Sequence, residues 1–80
     1  MNARTFIKKR FMQKTVKQFG KRVKEIRLAK NMSQSDVAKI LKVHPTYISG
    51  IERGLRNPSL ITMEKVAKAL GVKISKLIEN

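Results

Sequence analysis

Small polar side chains recur at helical spacing in one short segment of the chain. Thr46, Ser49, Gly50 and Arg53 would share the outward face if this segment is a helix. Hydroxyl and guanidinium groups on one exposed face can form hydrogen bonds with a polar or anionic partner. A glycine there weakens the helix but lets another molecule approach the backbone closely. The pattern therefore indicates a binding face.

The residue types that most catalytic sites need are scarce in this chain. It has one His, one Asp and no Cys, and it contains neither a glycine-rich phosphate loop nor a metal-ligand cluster. A chain of 80 residues also leaves little scaffold around a deep cleft. We therefore predict that the protein is not an enzyme and that it uses no cofactor, metal or small-molecule ligand.

The charge of the chain is strongly positive and unevenly distributed. The formal charge is +14, of which residues 1–32 carry +10 and residues 33–80 carry +4. Such an excess of cations is usually tolerated because a polyanion neutralises it, and nucleic acid is the leading candidate. Anionic lipids and acidic proteins are the partner classes that charge alone leaves open.

Cysteine usage and hydropathy bound the cellular location. The absence of Cys fits a reducing compartment, and no stretch of ten residues lacks a charge. A membrane-spanning helix or a secretory signal is therefore not expected. We predict a cytoplasmic protein that associates with the nucleoid when bound to DNA and has no membrane partner.

Helices must position the binding face, since no segment alternates apolar and polar residues for long enough to form a strand. A first helix is predicted from an apolar stripe, here called the core stripe, and should end near residues 30–32. The core stripe comprises Met12, Val16, Phe19, Val23 and Ile26. Gly20 interrupts the helical pattern at a cost of about 1 kcal/mol relative to Ala.

Capping residues and helix breakers delimit the remaining helices. Ser33 can cap a second helix, with Asp36 reaching back in a capping box. Pro45 favours the start of a third helix and Gly54 its end. Ser59 can cap a fourth helix, and residues 72–78 form a terminal helical segment.

These elements predict an all-α bundle of four to five short helices behind a basic segment. We assign residues 1–18 to a basic N-terminal extension, helical or partly disordered, and residues 19–80 to the folded domain. Two short helices joined by a turn of three to four residues, at about residues 34–53, match a helix-turn-helix. The second of these helices must enter a groove about 12 Å wide, which suits the small polar side chains on its outward face.

Three segments of the sequence carry a resemblance to a known family. They are Ser33-Gln34-Ser35-Asp36-Val37-Ala38, the run from Tyr47 to Pro58, and Ala69-Leu70-Gly71-Val72. Together they resemble the XRE family of helix-turn-helix proteins, of the Cro and lambda-repressor type, and most of all the controller proteins of restriction-modification systems. The resemblance implies a lambda-repressor-like bundle over about residues 19–80.

The resemblance also implies roles for individual residues. The positions expected to contact DNA are Gln34, Pro45, Thr46, Tyr47, Ser49, Gly50, Arg53 and Arg56. Gln34 would contact the DNA backbone at the start of the second helix, and Arg53 and Arg56 would contact flanking phosphates. Controllers commonly have an arginine at the position of Pro45, and because proline has no donor, only van der Waals contact is expected here.

Other residues are expected to serve structure and assembly. Arg27 and Glu52 match a family pair that forms an ion pair between the first and third helices. Apolar residues in the last two helices exceed what a small bundle can cover, so we predict a homodimer interface there. Its members are Leu60, Ile61, Ile74, Leu77 and Ile78.

The sequence thus predicts a transcriptional regulator that binds a pseudo-palindromic operator in double-stranded DNA as a homodimer. An antitoxin-type or phage-type autorepressor is the alternative with the same binding chemistry, and a basic RNA-binding or ribosome-associated protein is the alternative of another class. The basic extension could contact phosphates or a minor groove, remain solvated, or add a dimer contact through Phe6, Ile7 and Phe11.

Overall fold

Helices account for the regular structure of this chain. The computed structural model describes the backbone of residues 3–78 and the side chains of residues 15–78. Within residues 3–78 there are five helices and no strand. They are α1 (Ala3–Ala29), α2 (Gln34–Leu41), α3 (Pro45–Glu52), α4 (Leu60–Ala69) and α5 (Ser75–Ile78). The predicted all-α fold is confirmed.

The first helix extends through the predicted start of the folded domain at residue 19. α1 has 27 residues, which corresponds to about 40 Å, and it crosses residue 18 without a break. Gly20 does not interrupt it, because this glycine lies where α1 crosses the end of α3. A Cβ atom on Gly20 would overlap the backbone oxygen of Ile51 and lie 2.9 Å from that of Glu52. The glycine thus allows two helix backbones to approach closely.

Side-chain caps fix the starts of α2 and α4 as predicted. The Ser33 hydroxyl accepts a hydrogen bond from the backbone N–H of Asp36 at 3.0 Å, and the Ser33 N–H donates to the Asp36 carboxylate at 2.7 Å. These hydrogen bonds hold the pKa of Asp36 below its usual value. The Ser59 hydroxyl accepts from the N–H of Thr62 at 3.1 Å.

Among residues 3–78, four residues with positive φ end helices or bend the connections between them. Gly54 (φ 72°) and Gly71 (φ 71°) occupy the left-handed region that glycine tolerates. Asn31 (φ 56°) and Lys42 (φ 59°) adopt the same left-handed conformation, although each of them has a Cβ atom. Lys42 follows α2 directly, so its backbone turns the chain towards α3.

One apolar core joins the five helices. Its buried members are Phe19, Val23, Val37, Ala38, Ile48, Ile51, Val66, Ala67, Leu70 and Leu77. The placement of Leu77 in the dimer interface is therefore wrong: this side chain is fully buried within its own chain. The short helix α5 depends on Leu77 for its attachment to the bundle, since four residues cannot form a stable helix alone.

None of the helices in the described part of the chain is long and apolar enough to cross a membrane.

Candidate nucleic-acid interface

Two short helices and a tight turn set the orientation of α3. α2 ends at Leu41 and α3 begins at Pro45, so three residues connect them. The N–H of Val43 bonds to the carbonyl of Ala38 at 3.0 Å and closes the turn. α3 buries Ile48 and Ile51 against the core, which turns the opposite side of the helix outward.

Four of the predicted contact residues, Thr46, Ser49, Gly50 and Arg53, fall on that outward side by helical register, and all but Gly50 are accessible. Thr46 and Arg53 are exposed and Ser49 is half-buried, at positions that follow one another along one helix face. Pro45 and Tyr47 are half-buried, and Tyr47 packs against the apolar core. The hydroxyls and the guanidinium thus form a polar surface on a helix held rigidly by its apolar side.

Gly50 is the exception, because it is buried beneath the side chain of Arg56. A Cβ atom on Gly50 would lie 2.9 Å from Cγ and 3.4 Å from Nε of Arg56. The guanidinium carbon of Arg56 lies 5.7 Å from the ring centre of Tyr47, within cation–π range. The expectation of a bare glycine surface is therefore wrong: Gly50 provides room for Arg56 to cross α3.

The structure also places the Arg56 side chain differently from the sequence-based expectation. Arg56 follows α3 in the sequence, so the resemblance placed it on the flank of the motif. Its side chain instead runs back across α3 to Tyr47, near the small polar groups of the helix. The chain returns because the N–H of Leu55 bonds to the carbonyl of Gly50 at 2.9 Å.

A network of charged hydrogen bonds connects α1, α2 and α3. Arg27 donates to the two carboxylate oxygens of Glu52, from Nε at 2.6 Å and from a terminal nitrogen at 3.0 Å. Its other terminal nitrogen donates to the carbonyl of Met32 at 2.8 Å. The side chains of Arg27 and Glu52 are only 8% and 2% exposed. The hydrogen bonds to Glu52 raise the pKa of Arg27, whereas burial opposes this.

Gln34 belongs to the same network. Its side-chain nitrogen donates to Glu52 at 3.0 Å, so this carboxylate accepts three hydrogen bonds. Gln34 is the first residue of α2, and its side-chain amide is oriented by Glu52 at the end of α3. The sequence did not indicate this bond, because Gln34 and Glu52 are 18 residues apart.

His44 caps the start of α3. Its Nδ1 atom accepts a hydrogen bond from the N–H of Thr46 at 3.2 Å and lies 2.8 Å from the Thr46 hydroxyl oxygen. This ring replaces the more usual Ser, Thr, Asp or Asn at such a position. It also fixes the hydroxyl of Thr46, one of the outward polar groups.

The titratable residues whose side chains are described form no metal site. No group of three or more His, Asp or Glu side chains among them is arranged to hold an ion.

Sequence comparison places residues 23–77 in a helix-turn-helix family model. Control protein C.BamHI from Bacillus amyloliquefaciens is 53% identical over 62 residues, which cover 76% of each chain. The chain belongs to the helix-turn-helix family. Its membership agrees with the turn between α2 and α3 and with the resemblance to controller proteins noted in the sequence.

Solved structures of similar controllers share the fold of this helix-turn-helix protein. The restriction-modification controller protein C.AhdI from Aeromonas hydrophila matches with a TM-score of 0.74 and 39% identity, covering 78% of this chain and 94% of that one. The controller C.Esp1396I, solved as a tetramer in complex with its natural 35 base-pair operator, matches with a TM-score of 0.70 and 39% identity over 74% of this chain and 78% of its own.

Proposed function

We propose that this protein binds double-stranded DNA through α3 and regulates transcription as a homodimer. The observation that carries the proposal is the outward polar face of α3, which lies on a short helix anchored by Ile48 and Ile51. A recognition helix needs such a face, since bases are distinguished by hydrogen bonds in the major groove. The protein performs no catalysis in this proposal and acts in the cytoplasm, where it meets the DNA.

The roles of the contact residues follow from their chemistry. Thr46 and Ser49 present hydroxyls to base edges, and Arg53 contacts phosphate. Pro45 makes van der Waals contact only. Arg56, whose side chain crosses α3 at Gly50, enters the groove with this helix.

Gln34 and Tyr47 support these contacts from either side of the helix. One N–H of the Gln34 side-chain amide is engaged by Glu52, which leaves its second N–H and the N-terminus of α2 for the DNA backbone. Tyr47 is half-buried and holds its ring beside Arg56, with its hydroxyl available for a phosphate.

The apolar surface of α4 and α5 supports self-association. Leu60, Ile61 and Ile78 are 61%, 66% and 53% exposed, and Ile74, directly before α5, is half-buried. Large apolar side chains that stay exposed in the folded chain can mark an interaction surface. A two-fold dimer would place its α3 helices on half-sites roughly 34 Å apart, and its operator would be pseudo-palindromic.

The controller role of restriction-modification systems is the most specific form of this proposal. It is supported by the similarity to C.BamHI and C.AhdI, which are named as control or controller proteins. Adjacent genes for a methyltransferase and an endonuclease would support it. A neighbouring toxin or integrase gene would instead favour the antitoxin-type or phage-type autorepressor.

Selection of bound duplexes from a random pool tests the central claim. We expect enrichment of one two-fold symmetric site, and the double variant Thr46→Ala/Ser49→Ala should lose this preference while it retains general affinity for DNA. Ser75→Ala, which removes a hydroxyl from α5, is the matched control and should select the same site. Absence of a symmetric site, or displacement by RNA as effective as by the selected duplex, would reject the proposal.

A further inference from the structure

The first 22 residues of the chain lie outside the family match, which begins at residue 23. α1 nevertheless begins at Ala3 and runs through this segment without a break. The part of α1 before the bundle, residues 3–18, is here called the α1 extension. It is about 24 Å long at 1.5 Å per residue and carries a large share of the positive charge of the chain.

The α1 extension leaves the bundle at the C-terminal end of α3. Gly20 lies against the backbone of Ile51 and Glu52, the last two residues of α3. Lys17 then lies against Gly54, whose added Cβ would be 3.2 Å from the Cα atom of Lys17. Two close backbone contacts one turn apart fix the direction of α1 there, so the helix continues past the end of α3 rather than pivoting around it.

A row of cations runs along α1 from the extension to the contact with α3. Its members, here called the basic stripe, are Arg10, Lys14, Lys17, Lys21 and Lys24. The alternating spacing of four and three residues places them in one helical register, opposite the core stripe. Lys17, Lys21 and Lys24 are exposed, and Lys17 borders the turn that follows Arg53. The basic stripe therefore adjoins the end of the proposed recognition helix.

We infer that the α1 extension is a second DNA-contacting element, whose basic stripe binds phosphates of the duplex that α3 reads. The inference rests on the proposed function and adds contacts that the helix-turn-helix alone does not provide. Because α1 is held in a fixed direction at the end of α3, its basic stripe would lie along the same duplex that α3 binds. These contacts increase affinity and its salt dependence but do not read sequence.

Charge favours DNA over a second copy of the chain as the occupant of this surface. Residues 1–18 contain six basic residues and no acidic residue. Pairing of two such segments through Phe6, Ile7 and Phe11 would bring like charges together, whereas a row of phosphates neutralises them.

The salt dependence of binding tests this inference on the full-length protein. The double variant Arg10→Gln/Lys14→Gln removes two charges from the basic stripe and retains good helix formers. We expect the slope of log affinity against log salt to decrease by about 0.9 for each phosphate that the variant no longer neutralises. The control Lys8→Gln/Lys9→Gln removes the same charge from the same helix outside the register of the stripe, and its slope should match that of the unmodified protein.

Two duplexes separate this test from the test of the proposed function. Slopes are measured on the selected symmetric duplex and on a random-sequence duplex of equal length, because phosphate contacts form on both. If selection yields no symmetric site, the proposed function fails although the random duplex still reports on the stripe. An unchanged slope, or an equal decrease in both double variants, overturns the inference. The inference is also overturned if Arg10→Gln/Lys14→Gln weakens the dimer in sedimentation equilibrium while its salt slope stays unchanged. That result would assign the extension to self-association.

Discussion

Arg56 lies across Gly50, with its Cγ atom 2.9 Å from the place that a Cβ atom on Gly50 would occupy. A methyl group there would push aside the flexible arginine rather than the backbone. It would also separate the guanidinium from Tyr47, which lies 5.7 Å from it. Gly50 is therefore a positioning residue for Arg56.

Gly50→Ala should reduce DNA affinity without reducing stability. Ala replaces Gly within a helix with a gain of about 0.5–1 kcal/mol, so the melting temperature should not fall. Removal of a well-placed arginine from the interface corresponds to about 1–3 kcal/mol, so we expect affinity for the selected duplex to fall by about 5- to 160-fold. Fluorescence anisotropy titrations measure it. Arg56→Ala should reduce affinity by a similar amount, and the two changes combined by little more; additive effects would contradict a shared cause.

Gly20→Ala, unlike Gly50→Ala, should reduce the stability of the folded protein. Here the methyl group meets backbone carbonyls of α3, which cannot rotate away as an arginine side chain can. We expect a loss of roughly 3 kcal/mol in the free energy of unfolding, at the upper end of the usual range for overpacking. Urea denaturation of this variant beside Gly50→Ala compares the same substitution at two glycines. Equal stability of the two variants would argue against the close crossing of α1 and α3.

Glu52→Gln should destabilise the protein because it leaves the Arg27 guanidinium buried without its counter-charge. Breaking a buried ion pair of this kind costs about 3–5 kcal/mol. Glu64→Gln is the matched control, since Glu64 is exposed on α4 and its replacement should change stability by less than about 0.5 kcal/mol. Chemical denaturation monitored by circular dichroism measures both. A destabilisation no larger than that of the control would show that the pair adds little to stability.

The capping box predicts a pH-dependent contribution to stability. Hydrogen bonds from Ser33 lower the pKa of Asp36 in the folded chain, so unfolding raises it. The contribution is therefore complete at neutral pH and is lost as the pH falls below about 4, through the pKa of the folded state. Thermal melts of the unmodified protein and of Asp36→Ala should differ at pH 7 and converge at low pH. A constant difference at all pH values would contradict this cause.

Ile61→Glu should weaken the dimer and leave the fold intact, because this side chain is 66% exposed on α4. Sedimentation equilibrium should show a shift towards monomer. Leu28→Glu, at a side chain 55% exposed on α1, is the control and should leave the association unchanged. Leu77→Ala should instead lower the free energy of unfolding by about 2–5 kcal/mol, since Leu77 belongs to the core. Equal effects of the two glutamate variants would reject the proposed interface.

The sequence by itself determined the helices, since caps and apolar spacing act over a few residues. Ser33 and Ser59 begin α2 and α4, Pro45 begins α3, and the family resemblance followed from residues close together in the chain. The left-handed backbone of Lys42 was not anticipated, because lysine has no preference for that conformation. Its conformation is imposed by the packing of α3 against α2.

Tertiary structure alone decided which residues the helices bring together. Leu77 has the same apolar character as Ile78, yet one is buried in the core and the other is 53% exposed. The sequence predicts an open surface at Gly50, but Arg56 covers it once the chain turns back after α3. Sequence spacing reports which face of its own helix a residue occupies, whereas burial and pairing depend on how separate helices cross, which is a property of the whole packed bundle.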